Sequence, residues 1–219
     1  MTRRLTAILA ADVVGFSAMM GRDEAGTLAR LIDMRKTVFD PEVARTGGRI
    51  VKLMGDGALV EFASVANAVS CAIAVQERLA ADPTLKLRIG INLGDVIQQG
   101  SDLYGDGVNI AARLEALAEP GGICVSGPVA DSLGSRLDPR FADTGLQQLK
   151  NIEKPVRVLR WLPDMEPAAA LAEPGFDRPG IAVLAFDNMS ADPEQEYFSD
   201  GIAEDIITAL SHFREFKVI

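Results

Sequence analysis

Two aspartates stand where metal chemistry could be done. Asp12 closes an apolar run, LTAILAADVVGF, and Asp56 sits in a tight turn between two apolar stretches, IVKLMGDGALVEF. At a strand end, a lone carboxylate can point out of a sheet without being buried unpaired. Two such carboxylates brought together would hold divalent cations, which is how proteins manage the charge of a nucleoside triphosphate. Gly15, just past the Asp12 strand and followed by Phe16 and Ser17, would let the backbone approach a phosphate that successive N–H groups could cradle.

Four more polar residues suit recognition of such a ligand. Lys52 lies four residues before Asp56 on the same strand, where alternation puts it on one face with Met54 and leaves Val51 and Leu53 on the other. Asn109 and Arg113 are spaced i, i+4, so they share a helix face amid Val108, Ile110, Ala111, Ala112, Leu114 and Leu117. A polar pair in an apolar stretch needs partners, and a guanidinium suits forked recognition of phosphate oxygens. Asp102 completes the set. Each residue also has a plainer reading. Asp-Gly turns form for backbone reasons alone, a strand lysine can be merely solvated, and Arg113 can be a helix-surface arginine.

Composition narrows the options. The chain has 219 residues, 48% hydrophobic and 24% charged, with net charge −9. That is a globular protein with a real core. The acidic balance disfavours nucleic-acid or anionic-membrane partners, so a polyphosphate would need metal and a few placed cations. One histidine, His212, nearly excludes zinc sites and histidine-based triads. Cys71 and Cys124 both lie in apolar stretches and read as small core residues. MTRRLTAILAA resembles a short signal peptide, but apolar character resumes at Val13, Val14 and Phe16, so a buried first strand is expected and a cytoplasmic chain with it. No segment approaches the ~18 uninterrupted apolar residues of a spanning helix.

The elements that must position these residues follow from periodicity and turn signals. A buried strand is predicted over 5–13 and a helix over 23–39. A hairpin of 49–54 and 58–62 turns at Gly55-Asp56-Gly57, and a helix capped by Ser64 spans 64–81. Residues 86–98 read as two strands bent at Gly94, and 106–118 as a helix. A short strand at ICVSG, a short helix over 128–134, and strands near 141–150 and 155–162 complete the set. This predicts an α+β fold with a ferredoxin-like, palm-like βαββαβ core: a mostly antiparallel sheet with packed helices. Proline-rich residues 163–180 read as a linker. Residues 181–219 read as the opening of an α/β unit, a strand, a helix near 194–213 and a second strand start, too small to stand alone.

Taken in order, ILAADVVGFS, IVKLMGDGALVEF and DLYGDGVNIAARLEALAEPGGICVS resemble the catalytic domain of class III nucleotidyl cyclases, over about residues 5–162. The resemblance implies that Asp12 and Asp56, with Val13 beside them, hold two Mg²⁺ or Mn²⁺ ions per site. Lys52 and Asp102 match the pair that reads the adenine edge, because a lysine donates to N1 and a carboxylate accepts from the exocyclic amine. Guanylyl cyclases usually carry Glu and Cys there, so ATP is the implied substrate. Asn109 matches the residue that orients the ribose, and Arg113 the one that meets transition-state charge. Lys150, in LQQLKNIEKPVRV, falls near the triphosphate-binding lysine. The implied reaction is cyclisation of ATP to cyclic AMP and pyrophosphate in a homodimer, with each site shared between subunits. The final 39 residues resemble the start of a TolB-like domain. They imply a longer parent regulated from its C-terminal side. A catalytically silent nucleotide-binding dimer is the alternative. A diguanylate-forming enzyme lacks support, because no GGDEF-type stretch is present.

Overall fold

A computed structural model describes residues 2–82, 84–138 and 140–163, and the short pieces 180–181 and 217–218. The chain divides into two compact units, Met1–Ala168 and Ala169–Ile219. In the second, Gly180–Ile181 and Lys217–Val218 pair in parallel. The rest of the predicted linker and of the TolB-like segment, including the helix expected near 194–213, lies outside the described residues.

The first unit is the expected α+β fold. Strand β1 (Thr2–Val13) is an interior strand of the sheet. It pairs antiparallel with β3 (Gly57–Phe62) on one side and β4 (Leu87–Gln99) on the other. β2 (Arg49–Met54) continues the sheet beyond β3. β6 (Ile123–Ser126) pairs with β4 in parallel, and β8 (Val156–Trp161) and β7 (Ala142–Gln147) follow antiparallel. The short β5 (Asp102–Tyr104) folds back on the end of β4. The residues that resemble a signal peptide are this interior strand, and its apolar residues lie on both sides because both sides are covered. Ala7, Leu9, Ala11 and Val13 face the main core. That core also takes Leu31 and Met34 of α2 (Glu24–Met34) and Val69, Ala72 and Val75 of α4 (Val65–Leu79). Ile8 and Ala10 face a second core under Val108 and Ala111 of α5 (Asp106–Leu117). By alternation Asp12 belongs to the α5 side.

Three predicted elements change. Phe16–Arg22 forms a short helix, α1, in a stretch for which no element was predicted. The helix predicted to stop at 39 runs on: a π turn, Arg35–Phe39, leads into α3 (Asp40–Arg45). The π turn accommodates Pro41, whose ring and missing N–H an unbroken α-helix would reject. The two strands predicted over 86–98, bent at Gly94, are one continuous strand, β4. Gly94 is there for space: a Cβ would meet Gly107 Cα of α5 at 3.1 Å. At Gly90 the packing is tighter still, since a Cβ would lie 2.1 Å from the Glu115 backbone nitrogen. These two glycines let α5 lie directly on β4. The short helix α6 (Gly127–Leu133) closes the fold beside β8.

Candidate active site

Sheet register builds the site. Ala11 is opposite Ala58, so the next step along the pair brings Asp12 beside the β2–β3 turn; Gly57 is so close that its added Cβ would be 3.7 Å from Asp12 Oδ1. Asp56 therefore converges on Asp12, as the two-carboxylate reading requires. The Asp56 carboxyl is pushed above its ordinary value by burial and by the adjacent Asp12, through its charge and its side chain; hydrogen bonds from its own backbone and from Val13 oppose the shift. Two carboxyl groups forced together in this way favour a cation between them. Oxygen donors from Asp12, Asp56 and the Val13 carbonyl fit a hard divalent ion. Among the described residues no group of three or more His, Cys, Asp or Glu side chains could hold a metal, so the acidic part of the set is these two aspartates.

Two side chains join this cluster that the sequence did not single out. On the other side of β1, Asp12 is opposite Arg88 of β4, and Arg88 Nη2 donates to Asp12 Oδ2 at 2.9 Å. Arg88 Nε lies 3.3 Å from Glu115 Oε1 of α5. The Glu115 carboxyl is pushed up to about 7, first by burial and then by the charge of Asp12, with Arg88 opposing. The signals were present in the sequence: Arg88 lies between Leu87 and Ile89 in the apolar run LRIGIN, and Glu115 adjoins the buried Leu114 on α5. Neither could be placed without the β1–β4 register.

The other predicted residues form two more clusters. Lys52 Nζ is 3.7 Å from Asp102 Oδ2, and Tyr104 donates its hydroxyl to the same oxygen at 3.3 Å. The alternation expected around Lys52 is interrupted. Ile50 faces Val60 and Lys52 faces Leu59, so Val51 is an extra, bulged residue that packs on the α5 side. Bulges re-aim side chains near functional sites. On α5, Asn109 is exposed, and Arg113 Nε donates to the Lys150 carbonyl at 3.1 Å. Lys150 thus meets Arg113 by its backbone, while its side chain is exposed. Gly15, at φ 68°, starts α1 in the left-handed region that suits glycine. The Val14 N–H is already bonded to the Lys86 carbonyl, so any phosphate cradle begins at Gly15, Phe16 and Ser17.

Among the described residues no side-chain hydrogen bond or ion pair joins these three clusters. The cleft beside Asp56, lined by Met34, Arg35 and Phe39, measures about 10 Å³. A ligand pocket normally needs ~300 Å³ or more. A cavity of about 550 Å³ lies elsewhere, between Asn92, Gly107 and Arg157, and includes none of the predicted site residues.

The fold is that of nucleotidyl cyclase catalytic domains. Residues 3–158 match the family described as "Adenylate and Guanylate cyclase catalytic domain", and the chain belongs to that family. It is 51% identical, over 99% of its own length and 39% of the relative's, to "Putative adenylate cyclase 3" of Rhizobium meliloti (strain 1021). An adenylate cyclase of Streptomyces coelicolor is 34% identical over 61% of this chain and 35% of its own. The chain thus spans well under half the length of these relatives. Among solved structures, an adenylate/guanylate cyclase/hydrolase from Silicibacter pomeroyi superposes with TM-score 0.70 at 44% identity, covering 74% of this chain and 99% of that one. The adenylyl cyclase CyaB from P. aeruginosa shares the fold, with TM-score 0.65 at 23% identity over 76% of this chain and 97% of its own. Among the described residues no helix is long and apolar enough to cross a membrane.

Proposed function

We propose that the domain is an adenylate cyclase, converting ATP to 3′,5′-cyclic AMP and pyrophosphate in a homodimer. The observation that carries this is the convergence of Asp12 and Asp56 at the end of β1, in a chain of the cyclase family. Asp12, the Val13 carbonyl and Asp56 would hold two Mg²⁺ or Mn²⁺ ions. Bound there, such ions would compensate triphosphate charge and acidify the ribose 3′-hydroxyl. The 3′-hydroxyl gives its proton to water, its oxygen forms a bond to the α-phosphorus, the bond from that phosphorus to the oxygen bridging to the β-phosphate breaks, and pyrophosphate leaves. Gly15, Phe16 and Ser17 would present backbone N–H groups to the phosphates, and Lys150 a further positive charge.

Lys52 donates to adenine N1 and Asp102 accepts from the exocyclic amine; their separation of 3.7 Å suits a pair that holds one base edge between them. Asn109 orients the ribose. Arg113, steadied by the Lys150 carbonyl, meets negative charge as it develops on the α-phosphate and the leaving oxygen. The separation of the three clusters and the small cleft beside Asp56 support a site completed by a second copy. In that pairing the aspartates of one subunit face Lys52, Asp102, Asn109 and Arg113 of the other, giving two equivalent sites. We place the domain in the cytoplasm, at residues 1–162, with 163–180 as linker and 181–219 as the start of a regulatory region of a longer parent.

Incubating the protein with ATP or GTP and Mg²⁺ or Mn²⁺, then identifying the product by mass, tests the reading. Cyclic AMP from ATP is expected. Cyclic GMP from GTP in excess would reassign the substrate, and no cyclic nucleotide under any combination would remove the activity.

A further inference from the structure

Arg88 and Glu115 have no part in the reaction as just described, yet they bear on its metal pair. Through its 2.9 Å bond to Asp12 Oδ2, Arg88 lays the protomer's own cation on a carboxylate that a metal would need. The same guanidinium is half-engaged with a second acid. Its Nε is 3.3 Å from Glu115 Oε1, but both atoms are buried and neither makes a hydrogen bond. The distance is short and the alignment is wrong. Buried polar atoms are seldom left unpaired, and each one left so costs stability. Glu115 cannot drift away to solve this, because the approach of α5 to Gly90 fixes its backbone against β4.

We infer that Glu115 is a positioning residue: it takes Arg88 from Asp12 when a divalent cation binds. This rests on the metal reading of Asp12 and Asp56. One carboxylate oxygen cannot serve both a metal and Arg88 well, and a guanidinium left beside a bound divalent ion is repelled by it. A small rotation of the guanidinium toward α5 aligns Nε with Glu115 Oε1. It pairs both orphaned atoms and frees Asp12. Metal entry is then an exchange of ion pairs within the protomer and leaves no buried charge unpaired.

Mn²⁺ binding, followed by the electron paramagnetic resonance of free Mn²⁺ in the absence of nucleotide, tests this apart from turnover. Arg88→Met, which removes the competitor, should tighten binding. Glu115→Gln, which leaves Arg88 only Asp12, should weaken it by roughly five- to tenfold, the scale of a close charge-pair effect. In the Arg88→Met background the same Gln substitution should change binding less than about twofold, the size of coupling expected once the shared partner is gone. Glu115→Asp keeps the charge but shortens the reach, so it should behave like Gln; it also carries the comparison if the Gln variant fails to fold, as judged by circular dichroism. Equal weakening by Gln in both backgrounds would mean a plain loss of neighbouring charge and would overturn the inference, as would no weakening at all. If Asp12→Asn leaves Mn²⁺ binding to the otherwise wild-type chain untouched, the metal site itself is misplaced and both readings fall.

Discussion

The carboxylate end of β1 and the Lys52–Asp102 surface differ in how complete each is within one chain. At the first, β1, the β2–β3 turn, β4 and α5 bring Asp12, Asp56, Arg88 and Glu115 together, on elements whose other faces are buried. At the second, Lys52 and Tyr104 are about half exposed, at 52% and 50%, and Asn109 is exposed on α5. The acidic cluster is preassembled by the sheet, whereas the groups proposed for the base and ribose stand more open. A partly buried acidic cluster needs its backbone fixed before any ligand arrives, because unpaired charges there are costly. A base-reading edge can wait in water at little cost until another surface closes over it.

The two regions should therefore fail differently. Asp56→Ala removes half of the proposed metal set and should reduce cyclic AMP formation to background while leaving the thermal melt near that of the wild type. Arg113→Ala removes only the group proposed to stabilise developing charge, and turnover should fall by ~10²–10³. An Arg113→Ala chain that kept wild-type turnover would take Arg113 out of the site. Lys52→Glu should leave the metal region intact and lower the preference for ATP over GTP, by about tenfold for each ~1.4 kcal/mol by which adenine recognition is weakened. Unchanged preference, read from kcat/KM on each nucleotide, would remove Lys52 from base reading.

The smallest effect concerns the scaffold behind both regions. Burial works to raise the Glu61 carboxyl, but Arg49 and Arg4 override it and hold it below its ordinary value of 4.5; Arg45 and Arg78 do the same for Glu42 against its burial. A depressed carboxylate gives stability that is complete above the unfolded pKa and is lost as pH falls through the folded one. Melting temperature should thus be insensitive to these two groups above about pH 4.5 and decline below it. In Glu61→Gln that decline should be shallower.

The sequence made the carboxylate pair legible because both aspartates sit at strand ends, where Asp-Gly and a fading apolar run mark the turns. That Asn109 and Arg113 ride on one helix was legible from their spacing. Arg88 and Glu115 were not, since their meaning depends on register: only β1–β4 pairing sets Asp12 against Arg88, and only the close approach at Gly90 brings Glu115 down onto them. Gly94 misled for a related reason. A glycine inside a strand signals either a bend or a neighbour's backbone, and α5 supplies the neighbour. The helix through Pro41 was cut short because a π turn has no simple periodic signature, and the bulge at Val51 is likewise invisible to strict alternation.

The shared site is tested most directly by mixing two inactive chains, Asp56→Ala and Arg113→Ala, and assaying cyclic AMP. Each mixed dimer would carry one doubly damaged site and one intact site. With random pairing, about half the dimers are mixed and each has one working site of two, so activity should return to about a quarter of the wild-type level. A mixture that stays inactive, while sedimentation shows that the two chains do pair, would contradict a site built from both subunits.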